Sequence, residues 1–250
     1  MSKILPGLAL TFLLLFPIQA SSFKSLFFHH SLRLSDEIVE YLSKIALEPE
    51  GARKIGKYIA QKKLTNEGIE DAFIRIAVRN NVISQDEAMG MFSNLSGVKG
   101  FSSTLRKIIG NKHNKAQGHL NELRIAHSAS QRGFSVMKIG EKFRDGIKKG
   151  VTDIDVVLEK NNTVFALEAK DYAAKTQLPM DQFRADIDTL RQYKKEISKE
   201  KFISVLSLTN KPDNLEDLKR LQSAAGSDVR IIIGSPDEQA EILSFLARVS

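Results

Sequence analysis

Apolar positions along the chain follow two regimes. Between residues 35 and 97 they recur at helical spacing. Ser35-Asp36-Glu37 opens a helix whose Ile38, Leu42, Ile45 and Ala46 share one face. Leu64-Thr65-Asn66-Glu67 and Ile83-Ser84-Gln85-Asp86 each set a hydroxyl residue where a helix cap belongs. Phe73 and Phe92 follow those caps at equal distance, a period of 19 residues that we read as a small helical packing region. From about residue 100 the pattern alternates. A helix over 116–132 closes at Gly133, and 134–139 reads as a strand. Strands follow at 151–158 and 163–170, then a long helix at 179–199. Two β-branched strands, 202–208 and 229–233, precede a last helix from 237 to about 249. Strands alternating with helices predict a layered α/β domain preceded by a small all-α region, with glycines 97, 100 and 110 marking the boundary.

The first 20 residues differ from both regimes. One charge, Lys3, precedes an apolar run over 4–18; Pro17 breaks it, and Ala20-Ser21-Ser22 supplies small residues. That is the pattern of a secretory signal peptide, too short for a span of ~20 apolar residues. The expected organisation is a signal peptide at 1–20, a helical region at 21–97 and an α/β domain at 98–250. We expect a secreted or periplasmic protein with no membrane span after cleavage.

Composition narrows the chemistry. The 250 residues contain no cysteine, which removes disulfides, thiol nucleophiles and cysteine-bound zinc. The 37 basic residues against 30 acidic ones give +7, falling to +6 without the leader, which permits a polyanionic partner. Serine–histidine–aspartate arrangements, phosphate-cradling loops and dinucleotide fingerprints are absent from the sequence.

The informative stretch is 151–170. Asn161-Asn162 suits a two-residue turn, because Asn tolerates positive φ. The turn sets a register in which paired residue numbers sum to 323. Asp155 then faces Glu168, and Asp153 faces Lys170. All four share one strand face, while Ile154, Val156, Leu158, Phe165, Leu167 and Ala169 form an apolar face for a core. Two carboxylates with Cβ atoms ~5 Å apart repel unless a proton or a cation intervenes. Hard oxygens at this spacing suit Mg²⁺, Mn²⁺ or Ca²⁺. A solvated strand face with a cross-strand salt bridge is the competing reading.

Asp155, twelve intervening residues and Glu168-Ala169-Lys170 resemble the PD-(D/E)xK nuclease motif, and Gly118-His-Leu-Asn-Glu122 resembles the helical acid that precedes it. The order of elements over roughly 105–210 is also similar. The resemblance implies a restriction-endonuclease-like mixed sheet flanked by helices, and Mg²⁺- or Mn²⁺-dependent phosphodiester hydrolysis. It implies that Asp155 and Glu168 ligate the metal, that Glu122 is a direct or outer ligand, and that Lys170 positions or activates water. Asp153 is an accessory candidate in place of Asp155, though the register favours Asp155. Gln182, on the following helix, is another accessory candidate, beside the plainer reading of an exposed helical Gln. His119, three residues before Glu122, could carry a proton, beside the plainer reading of a structural His.

Basic side chains flank these elements. Arg106, Lys107, Lys112, His113 and Lys115 precede the Glu122 helix, and Lys138, Lys142, Arg144, Lys148 and Lys149 lie before the acidic hairpin. Lys112, Lys115, Lys148 and Lys149 are the expected nucleic-acid contacts. The sequence thus points to an exported nuclease, DNA favoured over RNA. The alternatives are a catalytically inactive nucleic-acid-binding module of the same fold, or a toxin that cleaves transfer RNA and needs an immunity protein.

Overall fold

The computed structural model describes residues 34–46, 48, 50–110, 113–143, 152–197 and 199–250. The expected signal peptide, Lys112, Lys148 and Lys149 lie outside the described residues, as does the side chain of Lys115. Among the described residues no helix is long and apolar enough to cross a membrane.

Among the described residues five helices come first: α1 (Asp36–Ala46), α2 (Gly51–Lys62), α3 (Asn66–Arg79), α4 (Gln85–Leu95) and α5 (Phe101–Gly110). Both expected caps form. The Thr65 hydroxyl accepts from the N–H of Gly68, and the Ser84 hydroxyl accepts from that of Glu87. Each satisfies a first-turn donor that the helix cannot pair itself. Phe73 is fully buried and Phe92 partly so.

The α/β part continues with α6 (His113–Gln131), β1 (Ser135–Phe143), β2 (Thr152–Lys160), β3 (Thr163–Lys170), α7 (Met180–Ile197), β4 (Phe202–Leu208), α8 (Leu215–Ala225), β5 (Val229–Ile233) and α9 (Pro236–Val249). Strand order is β1-β2-β3-β4-β5. The first three strands are antiparallel; β3, β4 and β5 are parallel, joined by the crossovers α7 and α8. The molecule is therefore an α/β protein with a mixed sheet flanked by helices, preceded by an all-helical region.

Several strand and helix ends differ from expectation by a few residues, and two of the differences have a visible cause. β1 runs past Ile139 to Phe143, because Glu141 and Lys142 remain paired with Ile154 and Asp153 of β2 although they are charged. α9 starts one residue earlier than expected, at Pro236. The Ser235 side chain accepts from Glu238, and Glu238 reaches back to the Ser235 N–H, closing a capping box.

The sheet carries an apolar core on each face. One includes Val156, Leu158, Phe165 and Leu167 with α6 and α9, and extends without a break to Leu42, Ile55, Phe73, Met91 and Leu105 of the first five helices. The other packs Val157, Val164, Ala166 and Leu206 against Phe183, Ile187 and Leu190 of α7 and Leu221 of α8. Ile154, expected with Val156, is buried in the second core instead, at the end where β2 has left its ladder with β3.

The segment between α4 and α5 is stitched to the sheet. Lys99 bridges to Lys138, and the Ile139 N–H donates to the Lys99 carbonyl at 2.9 Å. Gly100 holds φ +97°, and a Cβ there would stand 1.7 Å from the Ile139 carbonyl oxygen. Only glycine fits so close to that backbone.

Candidate active site

The register expected from Asn161-Asn162 is present in the turn-side half of the hairpin, but the expected Asp155–Glu168 and Asp153–Lys170 pairs are not in the ladder. Both asparagines adopt left-handed φ, 52° and 61°. The ladder runs from Lys160↔Thr163 to Val156↔Leu167, each pair summing to 323. Beyond Val156 the backbone ladder stops. The next β3 donor, the Ala169 N–H, bonds to the Asp155 carboxylate at 2.8 Å, so a side chain fills the opening between the strands. On its other edge β3 stays paired with β4 through Glu168↔Leu206 and Lys170↔Leu208. The splayed end of the hairpin is thereby held from one side.

Three site residues named from sequence meet at this opening. The Lys170 ammonium donates to Glu168 Oε2 at 3.1 Å and lies 4.0 Å from Asp155 Oδ2. Sequence reasoning missed a fourth. Asp186 of α7 places Oδ2 3.1 Å from the same ammonium. Its signal lies in the helix pattern: Asp186 falls on the stripe of Phe183, Ile187 and Leu190 that faces the core, where a carboxylate needs a partner. Asp186 is buried, and its Oδ2 makes no hydrogen bond.

Burial raises the Asp155 carboxyl to about 7, aided by the negative charge of Glu122, against the pull of Lys170 and the Ala169 N–H. Burial, then the Asp155 charge, lifts Glu168 well above the usual carboxylate range. Burial disfavours the Lys170 ammonium, but the charges of Asp155, Glu168 and Asp186 outweigh it and hold its pKa above the ordinary lysine value. Without a bound cation, Lys170 is therefore held in its charged form at neutral pH.

Glu122, on α6, is buried, and Nδ1 of His119 lies 2.7 Å from its Oε1 one helical turn away. Its charge reaches Asp155 and, after burial, is what most raises that carboxyl. Asp153 is more exposed and points elsewhere, 3.6 Å from the Lys107 ammonium of α5. Gln182 is exposed, and its Oε1 accepts from the Tyr172 hydroxyl at 3.4 Å. Lys138 is engaged by Glu141 at 2.6 Å.

Among the described residues no three His, Asp or Glu side chains already form a metal cage. The donor set nonetheless fits Mg²⁺ or Mn²⁺. Mg²⁺ keeps several waters and binds through one or two carboxylates, and the Asp155–Glu168 pair is a buried, mutually repelling pair of hard oxygen donors. A divalent cation would offset the burial that chiefly raises both carboxyls, and the Asp155 charge that further raises Glu168.

No family model matches the chain, and no curated protein does. A crystal structure of protein VC1899 from Vibrio cholerae is similar to it at 13% sequence identity and a TM-score of 0.36, over 87% of this chain and 57% of that one. The chain thus spans little more than half of that protein's length, and at this level of likeness nothing about function transfers.

Proposed function

We propose that the protein is an exported, divalent-metal-dependent endonuclease of the PD-(D/E)xK kind, acting on DNA in preference to RNA. The observation that carries this reading is the convergence of Asp155, Glu168 and Lys170 at the opened end of the β2–β3 hairpin, just beyond the last paired residues. The order helix with Glu122, three antiparallel strands, crossover helix, parallel strand supports it.

Asp155 and Glu168 would hold Mg²⁺ or Mn²⁺, with Glu122 as a further direct or outer ligand. Such an ion, when bound, polarises a phosphate oxygen and acidifies a bound water. Lys170 would orient or activate the attacking water and stabilise negative charge on the phosphate. The Ala169 N–H anchors Asp155 by one carboxylate oxygen, Oδ2.

The full chain, given Mg²⁺ or Mn²⁺, should nick or cut labelled duplex DNA, single-stranded DNA or transfer RNA, and lose this activity in chelator. Glu168→Ala and Lys170→Ala should each cut at least about a hundredfold more slowly while melting cooperatively. Absence of cleavage on every substrate sinks the enzymatic reading. Salt-sensitive binding without turnover, unchanged by chelator, would instead mark a nucleic-acid-binding module. Cleavage of transfer RNA in preference to DNA would favour a toxin, whose producer needs an immunity partner.

A further inference from the structure

The Lys170 ammonium is shared between two elements. It lies 3.1 Å from Glu168 Oε2 on its own strand and 3.1 Å from Asp186 Oδ2 on α7. Only the first contact has hydrogen-bond geometry; Asp186 Oδ2 is buried and without a hydrogen bond. A divalent cation on Asp155 and Glu168 would compete with the ammonium for the same carboxylate oxygens. Displaced from Glu168, the ammonium has an acceptor already within reach at Asp186.

Resting on the metal-site reading above, we propose that Asp186 is a positioning residue for Lys170: it takes the ammonium when a divalent cation claims Asp155 and Glu168. The charges then balance in pairs. Once ionised, the three carboxylates that face Lys170 (Asp155, Glu168 and Asp186) carry three negative charges against its one positive charge, while Glu122 faces His119 at 2.7 Å. With Lys170 matched to Asp186, the Asp155–Glu168 pair keeps two negative charges for a divalent ion. Without the Asp186 carboxylate, the metal would have to bind beside an unmatched buried ammonium, which is strongly disfavoured. Asp186 thus acts on the metal through Lys170 and touches neither metal nor substrate.

Calorimetric titration of the full chain with Mn²⁺ tests this. Asp186→Asn, close to isosteric, should weaken Mn²⁺ binding about 10- to 100-fold, the usual effect of removing a residue that supports a metal's ligands. Asp186→Glu, which restores the charge, should recover most of that loss. Lys170→Met should bind Mn²⁺ at least as tightly as the parent, and adding Asp186→Asn to it should change nothing further. Melting curves in chelator verify that each variant is folded. If Asp186→Asn weakens binding equally in the parent and in the Lys170→Met variant, Asp186 is a ligand and the proposal is overturned. An Asp186→Asn variant that binds Mn²⁺ like the parent overturns it too. A parent that binds no Mn²⁺ overturns the metal site itself, a result distinct from a parent that binds Mn²⁺ and ignores Asp186.

Discussion

The two ends of the β2–β3 hairpin share one register and solve opposite problems. At the turn end, Asn161 and Asn162 accept left-handed φ, Asn161 Nδ2 donates to the Ala247 carbonyl at 3.0 Å, and the ladder is complete. At the other end the ladder is interrupted, and the Asp155 carboxylate takes an N–H that a strand neighbour would otherwise pair. The closed end carries backbone strain that side chains compensate. The open end carries buried like charges that one lysine only partly neutralises. Stability is concentrated at one end and unsatisfied electrostatics at the other, which is where chemistry is expected.

Substitution of Asp155 gives the largest expected contrast. Both Asp155→Ala and Asp155→Asn should lose cleavage by on the order of a hundredfold or more, since both remove a charge from the pair. They should separate in stability. Asn keeps an oxygen for the Ala169 N–H, whereas Ala leaves that donor unpaired at a cost of roughly 1–3 kcal/mol. Urea denaturation of the two variants measures the difference; equal stability would mean that Asp155 does not hold the strands at this end. At the closed end, Asn161→Val forces a β-branched residue to positive φ and should cost about 1–2 kcal/mol. Its cleavage rate per folded molecule should stay at the parent level, and a matching loss of rate would show that the two ends are coupled.

The last contrast is one of pH. In metal-free protein the folded state holds the Asp155 proton to about 7, well above the ordinary value of 3.8. Between those values the unfolded chain has released the proton and the folded chain retains it, so stability should fall as pH rises through that window. Glu168 shifts in the same direction and adds to the slope. Thermal melts across the range should show this decline in the parent and in Asn161→Val, and a shallower one in Asp155→Asn. A flat profile in the parent would mean that these carboxyls are not raised by folding.

The register was legible through Val156↔Leu167 because the constraint is local: an Asn-Asn turn between two strands admits one pairing. The opening beyond it, where Asp155 takes the Ala169 N–H and nears Lys170, was not. The Thr65 and Ser84 caps were legible because they too are local. Asp186 was not, because its role depends on how α7 docks over the sheet, which no short-range pattern encodes; only its position on an apolar stripe hints at it. The link between Asp153 and Lys107 likewise depends on α5 lying near the start of β2. The continuous core joining the first five helices to the sheet comes from packing among elements far apart in sequence, which helical periodicity does not report.

The change of sheet direction at β3 has a consequence for how the molecule is made. β1, β2 and β3 follow one another as antiparallel neighbours, so they pair with their sequence neighbours as soon as they emerge. β4 must wait for α7 to cross over the sheet, a slower closure of a longer loop. A nascent chain therefore acquires Asp155, Glu168 and Lys170 first, and Asp186 arrives only with the crossover. Lys170 meets its third carboxylate last during synthesis, and the candidate site is complete only once the parallel half of the sheet has docked.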